Sequence, residues 1–113
     1  MGQLEFKMRK KFTLNQATEE TRKVASKMPI KYPIHARLAD LIEEVGELAN
    51  AIQVEEGYKS KKRKKSDLIN SVCDVLYSVF LVASHYNIDL DKEYPLVLKE
   101  IDERRKNGGF DHE

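Results

Sequence analysis

The chain has no tryptophan, one cysteine, three prolines and five glycines among its 113 residues. Each scarcity removes a class of protein. A lone thiol, Cys73, cannot close an intramolecular disulfide or supply the cysteine pairs of a structural zinc site. With no Ser/Gly linker and no internal repeat there is no boundary to place, so residues 1–113 are expected to form one domain with its core at about 14–107. Lys+Arg number 20 against 19 Asp+Glu, leaving +1, so global charge provides no pull toward nucleic acid or anionic lipid. The opening MGQLEFKMRKK lacks a signal peptide's apolar stretch, and Phe6 stands where a myristoylation signal needs Ser or Thr. A soluble, cytoplasmic protein with no membrane partner is the expectation.

The charge is unevenly placed. Between 40 and 56 lie Asp40, Glu43, Glu44, Glu47, Glu55 and Glu56 with no basic residue, whereas KSKKRKK at 59–65 is basic at six of seven positions. That run has no interleaved aromatic on which a base would stack, so a solvated loop explains it and a nucleic-acid partner is not expected; steering of an anionic nucleotide is the other reading.

Alternating strand patterns are absent, and the pattern predicts an all-α chain of four helices. Thr13-Leu14-Asn15-Gln16 reads as a capping box, with Leu14, Ala17, Thr21, Val24, Ala25 and Met28 at helical spacing until Pro29. A second helix spans about Ile34 to Glu56, with Gly57 as its stop. Ser66 or Asp67 can cap a third that reaches about Tyr86. After the Asn87-Ile88-Asp89 turn, a fourth covers about 91–106, with Pro95 expected in its first turn, where a missing amide costs little.

With Glu44 set at 0° and about 100° per residue, Leu41, Val45, Leu48 and Ile52 fall between about 40° and 100°, and Leu38, Ile42 and Ala49 extend the arc to about 160°. Asp40, Glu44 and Glu47 cluster at about 300–360°, flanked by Glu43, so the acids form a stripe bordering the core face. Like charges at this spacing destabilise a helix by a few tenths of a kcal/mol per pair. A solvated acidic face is one reading, and a hard-oxygen cation site is the other.

The third helix bears on that choice. LINSVCDVLYSVFLVA is apolar nearly all round and is expected to be the buried centre, at about 16 residues too short and too polar to span a bilayer. Asp74 is its only formal charge. A buried carboxylate needs a cationic partner from a neighbouring helix or a metal shared with the acids of the second helix. Cys73 is expected to be an inert core residue, and Tyr77 and Tyr86 either pack the core or line a base pocket. His35, His85 and His112 lack metal-ligand spacing.

Glu43-Glu44-Val45-Gly46-Glu47-Leu48-Ala49, followed by Asp74-Val75-Leu76-Tyr77 and the Asn87-Ile88-Asp89-Leu90 turn, resembles the MazG-type all-α nucleoside triphosphate pyrophosphohydrolases, with EExxE on one helix and ExxD on the next. The resemblance covers about 14–107. It implies a four-helix bundle assembled as a dimer or dimer of dimers, which would cover the apolar faces of short helices. It also implies Mg²⁺ or Mn²⁺ held by Glu44, Glu47 and Asp74, with Glu43 serving a further metal or the attacking water and Lys99 contacting phosphate. The implied reaction cleaves a nucleoside triphosphate to monophosphate and pyrophosphate, as housecleaning of the nucleotide pool. Phosphoribosyl-ATP pyrophosphatase shares the helical acid logic. Two positions depart from the pattern: Ser71 stands where ExxD has Glu, and Glu103 where the family often has Asn. A degenerate member, acting as an oligomerisation or nucleotide-binding module, is the alternative those departures raise.

Overall fold

The computed structural model describes residues 11–60 and 66–110, and among them the only regular structure is α-helix. Four helices follow in order: α1 (Leu14–Ser26), α2 (Ile34–Glu55), α3 (Ser66–His85) and α4 (Leu90–Lys106). The start of α1 is the expected capping box. The Gln16 amide donates to Thr13 Oγ1 at 3.1 Å, and the Thr13 amide donates to Gln16 Oε1 at 2.9 Å. Gly57 ends α2 with φ +83°, a conformation in which a side chain is strained, and the Tyr58 amide closes back onto the Gln53 carbonyl at 2.8 Å. At the end of α3, Asn87 takes the left-handed role at φ +53°, and the Ile88 amide reaches the Ala83 carbonyl. The basic run lies outside the described residues from 61 to 65, as do the side chains of the expected caps Ser66 and Asp67 and the first ten residues.

Two expectations for α4 and α3 need correction. Pro95 is not in the first turn of α4 but in the second, because Asp89 caps the helix through the Lys92 amide and starts it at Leu90. The ladder there loses the amide that would serve the Asp91 carbonyl. In addition, α3 is 20 residues long, and its Leu68–His85 stretch, with mean hydropathy 1.4, is long and apolar enough to cross a membrane by length and composition. Core helices of soluble proteins meet the same criterion.

Packing centres on α3. It lies antiparallel along α2, with Arg37 and His85 lining one cavity while Glu44, two turns further along α2, feels the charge of Asp74. α1 covers another side of α3, and α4 leans on α1. A polar clasp makes that last contact: Asn15 Nδ2 donates to Asp89 Oδ1 at 2.7 Å, and the Asp91 amide donates to Asn15 Oδ1 at 3.2 Å.

Among the described residues the buried ones are mostly small: Ala25, Ala51, Ala83, Ser71 and Ser78, with Leu81 the one large side chain. Small residues let the helix axes approach closely. They also leave the large apolar residues elsewhere. α3 is central to the packing, but most of its large apolar side chains are not buried as its composition predicts. Val72, Leu76 and Val79 are exposed, Ile69 is 71% exposed, and Cys73 is exposed rather than a core residue. On α2 the far part of the apolar arc is open as well, with Leu38 at 53% and Ile42 at 64%. Arg37, Asp40, Leu41, Glu44 and Leu48, at the border between the acidic and apolar stripes of α2, are half-buried.

Candidate functional site

The face of α2 that meets α3 carries Glu44 near its centre. Partial burial pushes the Glu44 carboxyl above the ordinary carboxylate range, and the negative charges of Asp74, Glu47, Asp40 and Glu43 add to the shift in that order. The largest charge effect comes from the neighbouring helix rather than from the residues one turn away. The fold therefore brings Glu44 and Asp74 together, 30 positions apart in sequence. Asp40, part of the acidic stripe but outside the expected ligand set, belongs to the same field.

Other expected features land differently. Asp74 is exposed, not buried, because it sits at the edge of α3 while Ser71 and Ser78 occupy the inner side. Among the described residues no Lys or Arg lies within ion-pair distance of Asp74, so the cationic-partner reading is not realised there. Glu43 and Glu47 are exposed on α2. Lys99 is exposed on α4, and packing holds that helix to α1 rather than to the α2–α3 seam. Glu103 is exposed on the same helix. Of the expected site residues, then, one cross-helix pair is drawn close, Glu47 acts on it from the next turn, and Lys99 is held on another element.

The donor set has the chemistry of a hard-cation site: carboxylate oxygens only, held in a mutually repelling group that a divalent ion would relieve. The closure is incomplete. Among the described residues no three His, Cys, Asp or Glu side chains stand close enough together to hold an ion. The position that would add a carboxylate on α3 is Ser71, only 7% exposed, so a hydroxyl occupies a packed place where a Glu would have to reach outward.

Sequence reasoning missed a groove. Between α1 and α3, Phe12, Val24, Leu76, Tyr77 and Phe80 line an apolar hollow of about 300 Å³, and Cys73 opens onto it. The signal was present in the spacing 73, 76, 77 and 80, which is one helical face beside Asp74. Tyr77 therefore lines a groove, while Tyr86 is exposed and meets His85 edge-on at 4.8 Å.

The model of the MazG nucleotide pyrophosphohydrolase domain matches residues 33–109, from the start of α2 to just past α4. No curated protein and no solved structure matches the chain.

Proposed function

The chain belongs to the MazG nucleotide pyrophosphohydrolase family, and from that membership we propose that it is a divalent-metal-dependent nucleoside triphosphate pyrophosphohydrolase, yielding nucleoside monophosphate and pyrophosphate in clearance of unwanted nucleotides. The observation that supports this reading is that half-buried Glu44 of α2 lies within charge-interaction range of Asp74 on α3 as well as of its own helix's acids.

Glu44, Glu47 and Asp74 are the residues that would hold Mg²⁺ or Mn²⁺, and Glu43 would orient the attacking water or serve a further ion. A bound divalent ion supplies charge neutralisation for the triphosphate and lowers the barrier to attack at phosphorus. The carboxylates also accept hydrogen bonds from water and align it. The groove lined by Tyr77 and Phe80 provides a flat apolar wall beside Asp74, which suits a nucleobase. Lys99 would contact phosphate. Because α4 leans on α1, assembly into a homodimer or homotetramer is the natural way to bring Lys99 to the acids of another subunit, and the exposed apolar faces of α2 and α3 support that assembly.

The test is pyrophosphate release from a panel of ribo- and deoxyribonucleoside triphosphates with and without Mg²⁺. Metal-dependent release that Asp74→Asn abolishes is the expected result. A second reading, a nucleotide-binding module with little turnover, draws on Ser71 and the unclosed acids; metal-dependent triphosphate binding without release would establish it.

A further inference from the structure

A second cavity of about 230 Å³ lies where the end of α1, the start of α2 and the end of α3 meet. Among the described residues no acidic side chain lines it. Arg22, Lys31 and Arg37 do, together with His85, Ser84 and Tyr32. Three cations around one hollow repel one another, and only part of that charge is answered among the described residues. Arg22 pairs with Glu19 through Nε and Nη2, leaving Nη1 free of that pair. Lys31 Nζ donates to the Ser26 carbonyl, which uses one of its three protons. Arg37 is half-buried, lies 5.3 Å over the Tyr32 ring and has no carboxylate partner among the described residues.

The surroundings favour the same sign of ligand. Pro33 provides no side-chain cap for α2, so the positive end of that helix also faces this region, where Ile34 lines the cavity. The Arg37 guanidinium is held by stacking on Tyr32, leaving its edge of N–H donors to grip an oxyanion with two parallel bonds. Tyr32, Ser84 and His85 add further donors.

We propose that this cavity is a binding site for a phosphate-class oxyanion, with Arg37 as its principal ligand and Lys31 and Arg22 in support. It is separate from the carboxylate cluster: Arg37 and Glu44 lie on one face of α2 but about 10 Å apart, at roughly 1.5 Å per residue. The anion is either free phosphate or pyrophosphate, or a phosphate carried on a nucleotide that reaches along the α2–α3 seam.

The experiment is calorimetric titration of the full chain in EDTA, where the carboxylate cluster has no metal and repels anions. Inorganic pyrophosphate, a nucleoside triphosphate and the uncharged nucleoside are the three probes. Saturable pyrophosphate binding, weakened at least about tenfold by Arg37→Gln and partly restored by Arg37→Lys, is the expected result for a free anion. Binding of the triphosphate alone, lost in the same variant, assigns the site to a substrate-borne phosphate. Lys31→Gln, at an exposed position, serves as a second variant whose fold is not at risk, and circular dichroism checks both. No binding by either anion, or binding that neither substitution weakens, overturns the proposal. Because no metal is present, that result is independent of whether the carboxylates catalyse hydrolysis.

Discussion

Replacing Glu44 by Gln is expected to stabilise the metal-free protein at neutral pH. Glu44 has its folded carboxyl raised above the ordinary glutamate value of 4.5 by burial and by four surrounding acids. A carboxyl whose folded value is raised favours folding while it is protonated. Its contribution is therefore fully present below about pH 4.5 and is lost as pH rises through the raised folded value. At pH 7 the ionised Glu44 is a net cost. Two like-charge pairs along α2, with Asp40 and Glu47, cost roughly 0.2–0.5 kcal/mol each. The pair with exposed Asp74, screened by solvent, costs roughly 0.2–1 kcal/mol. Together these make about 1 kcal/mol, which for a domain of this length is a melting-temperature rise of roughly 4 °C in the Gln variant. Thermal unfolding of both proteins in EDTA at pH 4 and pH 7 measures it. The difference should open between the two pH values and shrink in Glu44→Gln/Asp74→Asn by the amount that Asp74 supplies. A Gln variant less stable than wild type at pH 7, or a gap that is the same at both pH values, would refute the reasoning, since repulsion at Glu44 would then not be the operative effect.

Millimolar Mg²⁺ or Mn²⁺ should raise the wild-type melting temperature by binding the folded state, and Glu47→Gln should remove most of that increment in a differential scan. Ser71→Glu places a carboxylate at a packed position and should cost the metal-free protein about 2 kcal/mol or more in urea unfolding, with part of the loss recovered on adding Mg²⁺. Ile42→Lys, on the open apolar arc of α2, should shift sedimentation toward the monomer while leaving the helical circular dichroism spectrum in place. Asn15→Ala cuts the clasp to Asp89 and Asp91 and should speed amide exchange in α4 well before it does so in α3.

Helix positions and ends were legible because they depend on neighbours in sequence. Thr13 and Gln16 cap one another three residues apart, Gly57 supplies the positive φ that stops α2, and the 3.6-residue period marks which side chains share a face. The acidic stripe of α2 and Asp74 within the apolar run of α3 were visible for the same reason. What periodicity cannot state is the partner of each face. An apolar arc more than 100° wide can be covered by one helix at either edge, and here α3 takes the edge bordering the acids. That choice puts Glu44 against Asp74, leaves Leu38 and Ile42 in the open, and turns Asp74 and Cys73 outward from a helix whose composition reads as core. It also assembles Arg22, Lys31 and Arg37 from two helices and a connection around one cavity, which no local pattern announces. Local propensity and hydrogen bonding act over a few residues and are written in the chain. Which faces meet depends on side-chain volume, and close approach at Ala51, Ser71, Ser78 and Ala83 is a property of helices in contact, so only the tertiary structure decided it.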